Sequence, residues 1–137
     1  MTKTRIAQCA CGGVSVAAEG EPDVVSLCNC TACQRRTGSP FGIGAYFKRE
    51  AVRLRGLAKT FVRRVEDTPR TIVNYFCPNC GGTVYWVADL RPHHIGIAVG
   101  NFADPSFNAP TRIVWTQHRH EWIKFPAEIP SFQQAAQ

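Results

Sequence analysis

The run Cys28-Asn29-Cys30-Thr31-Ala32-Cys33-Gln34-Arg35-Arg36-Thr37-Gly38 packs three thiols into six residues and follows them with two arginines. Four more cysteines form two pairs, Cys9-Ala10-Cys11-Gly12-Gly13 and Cys77-Pro78-Asn79-Cys80-Gly81-Gly82. Both pairs end in Cys-Gly-Gly, whereas no glycine touches a cysteine of the trio. In a metal knuckle the glycine permits a tight turn, so that main-chain N–H groups point at thiolate sulfur. Like therefore pairs with like. Cys9, Cys11, Cys77 and Cys80 supply the four sulfurs of a closed, structural zinc site. Cys28, Cys30 and Cys33 are left as three ligands with a vacancy, which is how catalytic zinc is usually held. Two other arrangements stay open at this stage. Cys30 and Cys33 could join Cys77 and Cys80 in a ribbon-type site, leaving Cys9, Cys11 and Cys28. Alternatively, a histidine from His93, His94, His118 or His120 could close the trio and make it structural.

The rest of the chain sets the frame. Its 137 residues suit one domain with one core. No apolar run reaches the length of a membrane span, and Met1 to Ala10 lacks the apolar centre of a signal peptide. The expectation is a cytoplasmic protein, in which clustered thiols bind metal or do chemistry instead of forming disulfides. Seven is also an odd number, so a pure disulfide framework would leave one thiol over. The formal charge of +6 raises the question of nucleic acid. Seven thiolates against two divalent cations would lower it to +3. That residual charge suits a small anionic substrate better than a polyanion. Dinucleotide, P-loop and serine-nucleophile patterns are absent.

Short segments of alternating or apolar character recur along the chain. Strands are expected over Val14–Ala18, Asp23–Leu27, Phe41–Phe47, Val52–Arg55, Lys59–Arg63, Thr71–Phe76, Thr83–Val87, His94–Val99, Arg112–Gln117 and Trp122–Phe125. Gly, Pro, Asn and Asp separate them, which implies a mainly β fold. One helix is expected over Thr31–Thr37, with Thr31 as N-cap and Gly38 as its stop. Its N-terminus would fall among the trio thiols and favour thiolate. Arg35 and Arg36 lie on this helix, and a guanidinium there can hold a carboxylate bidentately. Arg53, Arg55, Lys59, Arg63 and Arg64 read as solvated strand surface. Trp86, Trp115 and Trp122 read as core or pocket wall. Pro126 to Gln137 reads as a surface tail.

Taken together, Cys-x-Cys-Gly-Gly, then Cys-x-Cys-x-x-Cys-Gln-Arg-x-x-Gly, then Phe-Cys-x-x-Cys-Gly resemble the glutathione-dependent formaldehyde-activating enzyme family, whose relatives include centromere protein V. The resemblance covers about residues 5 to 125 of a single domain spanning 1–137, with 126–137 as its tail. It implies a β-tent, Mss4-like fold. It also implies structural zinc at Cys9, Cys11, Cys77 and Cys80, and catalytic or exchangeable zinc at Cys28, Cys30 and Cys33. The implied activity is of the carbon–sulfur lyase or synthase type, in which glutathione adds to formaldehyde to give S-hydroxymethylglutathione. Arg35 or Arg36 would hold a glutathione carboxylate. One departure stands out: many members carry Cys-His-Cys where this chain has Cys28-Asn29-Cys30. The rival expectation is a zinc-stabilised module that binds nucleic acid or a protein without catalysis.

Overall fold

The computed structural model describes residues 2–136. The chain is mainly β, with a single α-helix among the described residues. It groups into two compact units. The first holds the residues up to Asp23 together with Ala45–Phe107, and the second holds Val24–Gly44 together with the residues from Asn108 onward.

The first unit contains an antiparallel sheet of β1 (Thr4–Gln8), β2 (Ser15–Glu19) and β5 (Val52–Arg55). Val16 and Ala18 of β2 are fully buried, and Ala7 of β1 sits opposite Val16. Period-two alternation therefore sends one face of these strands inward. A second sheet in this unit runs through β9 (His94–Ala98), β8 (Thr83–Ala88), β7 (Thr71–Phe76) and β6 (Lys59–Arg64), beside Ala45–Lys48, the part of β4 (Gly42–Lys48) that belongs to it. Phe47, Val84, Trp86, Ile95 and Ile97 are buried here. The β7–β8 register shifts at Tyr75/Phe76, directly before Cys77. A bulge at that point re-aims the chain as it enters the second cysteine pair.

The second unit holds β3 (Val24–Cys28), α1 (Thr31–Thr37) and β10 (Arg112–Val114), with β10 parallel to β3. Val25, Leu27, Ile113, Val114, Trp115 and Ile123 are its buried hydrophobic residues, along with Cys30 and Cys33, and Ser26 and Asn29 are buried polar ones. The stretch read as a tail is stitched to β10. Ile113 N–H donates to Pro130 O, Phe132 N–H to Ile113 O, and Trp115 N–H to Gln134 O.

Three local expectations are corrected. β1 was not foreseen, because only Ala7 among its five residues is buried and the hydrophobic alternation is weak. Trp122–Phe125 forms no strand. The Arg119 guanidinium takes the Ile123 carbonyl, and Trp122 is 74% exposed instead of lining a core or pocket. The strand expected over Arg112–Gln117 stops at Val114, because Trp115 turns into the left-handed region at φ 56°. An aromatic residue there stores about 1–3 kcal/mol that its surroundings must over-determine.

No helix among the described residues is long and apolar enough to cross a membrane.

Candidate metal centres

The seven cysteines form two groups, and neither mixes the trio with the pairs. Cys9, Cys11, Cys77 and Cys80 make the first, within the first unit. Cys28, Cys30 and Cys33 make the second, within the second unit. In each group the sulfurs all lie within 4.8 Å of one another.

The two pairs fold into matching turns. Cys9 N–H donates to Val14 O, and Cys77 N–H donates to Gly82 O. Gly12 and Gly81 occupy the left-handed region at φ 78° and 80°, where a side chain would be strained. These turns aim main-chain donors at sulfur: Gly13 N–H at Cys11 Sγ, Val14 N–H at Cys9 Sγ and Asn79 N–H at Cys77 Sγ. The Cys80 thiol is pulled down to about 6, first by the Gly82 N–H and then by the Cys11 N–H. Cys11 is lowered as well, by Asn79 and then by the Gly13 N–H. Cys9 Sγ lies 3.7 Å and Cys77 Sγ 3.5 Å from Cys11 Sγ. A tetrahedral zinc with bonds of about 2.3 Å has sulfur–sulfur edges of about 3.8 Å. Donor type, spacing and N–H···S bonding all fit zinc.

The trio is built differently. β3 delivers Cys28 at its last residue, and α1 opens shortly afterwards. Cys30, not Thr31, is the N-cap, and its sulfur accepts the Cys33 N–H at 3.3 Å. Gly38 ends the helix in the left-handed region, as the sequence implied. The expected thiolate-favouring effect of the helix start does not dominate among the trio thiols. Cys28 is pushed far up by its bonds to Cys30 and Cys33 and then by burial. Cys33 is also raised: a bond with Cys28 pulls it down, but the bond with Cys30 and burial outweigh that. Three neutral thiols crowded together this way need a cation to ionise, so the donor set again fits zinc. The group contains no fourth His, Cys, Asp or Glu among the described residues. His94 instead bonds Asp23 at 2.8 Å, and His120 bonds Gln34.

The run is clamped by contacts that sequence reasoning did not foresee. Asn29 is fully buried, and both its main-chain N–H and its Nδ2 donate to the Val114 carbonyl. Its Oδ1 is buried without a partner among the described residues. Gln34 Nε2 donates to Asn29 O at 2.9 Å and to His118 O at 3.1 Å. His118 stacks on Trp115, so the left-handed turn there presents both acceptor carbonyls to the run. Asn29 was visible in the sequence as a departure. Gln34 stood in the motif and His120 among the candidate ligands, but their pairing carried no signal, because they meet across 86 residues.

Of the two arginines, Arg35 is exposed and Arg36 half-buried. Arg36 folds back over Gly42, where a Cβ would collide with its Nη2, and its charge reaches Cys33. The basic residues of β5 and β6 lie on the first unit, with Arg53, Arg55, Lys59 and Arg64 exposed as expected.

Comparison with known proteins adds three findings. A sequence model of the family described as glutathione-dependent formaldehyde-activating enzyme matches residues 4–118. No curated protein matches the chain. A crystal structure of a Rhodobacter sphaeroides protein, a structural genomics target, is similar with a TM-score of 0.53 at 20% identity, covering 75% of this chain and 90% of that one.

Proposed function

The chain belongs to the glutathione-dependent formaldehyde-activating enzyme family, and from that premise we propose that it joins a thiol to an aldehyde at Cys28, Cys30 and Cys33. The thiol is glutathione and the aldehyde is formaldehyde or a small relative, with the same site able to run the reaction backwards as a lyase. The observation that carries this reading is the unequal division of sulfur, four in one cluster and three in the other. Cys9, Cys11, Cys77 and Cys80 hold a structural zinc, and the trio holds an exchangeable one. A zinc ion bound by three thiolates offers a further coordination position and lowers the pKa of a thiol that takes it.

The chain's own residues do the rest. Asn29 and Gln34 tie the trio's backbone to the Val114 and His118 carbonyls. Arg36, braced over Gly42, presents a guanidinium one turn from Cys33, where a peptide carboxylate can be gripped. A reducing compartment such as the cytoplasm is the fitting location for seven free thiols.

The test combines metal content with thiol binding. Protein prepared anaerobically should carry close to two zinc ions per chain. After cobalt substitution, glutathione should shift the thiolate-to-metal absorption. A single zinc, or spectra indifferent to glutathione together with salt-dependent binding to RNA or DNA, would favour the non-catalytic module instead. Arg36→Ala should weaken glutathione binding by about 10- to 150-fold, the scale of one charge-assisted bond of about 1.5–3 kcal/mol, whereas Arg35→Ala should change it little. Isothermal titration of both variants separates them.

A further inference from the structure

The trio has a proton to manage. A thiol entering such a site loses its S–H proton, and the oxygen of an attacked aldehyde must gain one. None of the residues assigned above can carry it. Gln34 makes this assignable. Both N–H groups of its amide are committed, one to Asn29 O and one to His118 O. Its oxygen therefore has to face His120, whose Nε2 lies 3.2 Å away. A carboxamide oxygen only accepts, so His120 Nε2 must donate. In the neutral ring, that places the proton on Nε2 and the lone pair on Nδ1. An amide that orients an imidazole by bonding the far nitrogen is the general device by which a base is aimed.

The loop is held as firmly as the ring. Arg119 bonds the carbonyls of His120 and Ile123, and Ile123 N–H returns to His120 O. Ile123 is buried and His120 exposed, so the loop has an anchored side and an open one. His120 also lies two residues past the stretch that the family model matches.

We propose that His120, oriented by Gln34, is the acid–base group for the thiol that enters the trio; this rests on the function proposed above. The Nδ1 lone pair takes the thiol proton. The sulfur electron pair then forms the S–C bond to the aldehyde carbon. The C=O π pair moves onto oxygen, which takes the proton back from Nδ1. Thiol and aldehyde become a hydroxyalkyl thioether with every atom retained and no oxidant or reductant consumed. Gln34 is a positioning residue that acts through the ring.

The experiment reads the imidazole directly. Long-range ¹H–¹⁵N spectra of zinc-loaded protein, with His120→Gln used to assign the ring, should show the Nε2–H tautomer. Addition of glutathione should protonate Nδ1. In Gln34→Leu the tautomer preference should vanish, and in Gln34→Glu, which keeps an acceptor, it should survive. His120→Gln should slow glutathione-dependent turnover of formaldehyde by about 100-fold, within the range usual for an acid–base group. Zinc content and glutathione affinity should be unchanged, and free imidazole should restore part of the rate. An Nδ1–H ring, or full turnover in His120→Gln, overturns the proposal. Glutathione that binds without altering the His120 ring removes this inference alone. Failure of glutathione to bind at all removes the proposed function, and this step with it.

Discussion

Cys80→Ser should leave the chain unfolded at ambient temperature, while Cys30→Ser should remain folded and lose one zinc together with the activity. The contrast follows from what each sulfur holds. Cys80 is exposed, so serine leaves no cavity, and the whole effect passes through the metal. A zinc closed by four thiolates is worth about 10–16 kcal/mol, against a total folding stability of about 5–15 kcal/mol. Removing one ligand forfeits enough of that to exceed the margin. Cys30 is the buried N-cap of α1, and its side chain accepts the Cys33 N–H. Serine is among the best N-cap residues, so the helix keeps its start while the trio loses a sulfur. Far-ultraviolet circular dichroism together with zinc analysis on both variants decides the matter. Equal loss of structure in the two would mean that the clusters do not differ in role.

Gly56→Ala should be the most damaging single methyl that can be added near the first cluster. Gly56 follows β5 at φ 92°, a region closed to ordinary side chains. A Cβ there would run into the carbonyl oxygen of Gly13, which is backbone and cannot swing aside. Gly13 is also the residue whose N–H bonds Cys11 Sγ. Relief of the collision therefore has to come from the turn that aims the sulfurs. Strain and displaced turn together should cost more than about 3 kcal/mol, with knuckle zinc released at lower chelator concentration. Gly38→Ala is the control. Its φ is 68° but no atom lies within 4 Å of the added methyl. It should cost only about 1–2 kcal/mol, the price of the left-handed region alone. Urea midpoints for the two variants give the comparison.

Much of this was legible in the chain because the signals were local. Repetition of Cys-Gly-Gly predicted which cysteines group, and the turns at Gly12 and Gly81 are the physical reason that it could. The helix over Thr31–Thr37 was bracketed correctly because Gly38 closes it within one short segment. The misses arose where a distant partner decides. Trp122–Phe125 looks like a strand until Arg119 takes the Ile123 carbonyl. Arg112–Gln117 looks continuous until Trp115 turns the backbone aside. Asn29 could be noted only as an oddity, since its meaning lies in the Val114 carbonyl, 85 residues away. The His120–Gln34 bond is equally remote, and no spacing rule in the sequence could have joined the two.

The meeting of Cys11 with Cys77 spans 66 positions. Ribosomes add roughly 5–20 residues per second, so the first pair emerges roughly 3–13 seconds before the second. During that interval Cys9 and Cys11 lack their knuckle partners, and the only further thiols to emerge are those of Cys28, Cys30 and Cys33. Closing the ring afterwards costs about 4 kcal/mol of chain entropy, which the paired strands and the arriving ion must offset. On the proposed four-sulfur zinc site, metal capture would be a late event in biogenesis. Cells short of zinc should accumulate this polypeptide as a newly synthesised, degradable species, not as a folded apoprotein.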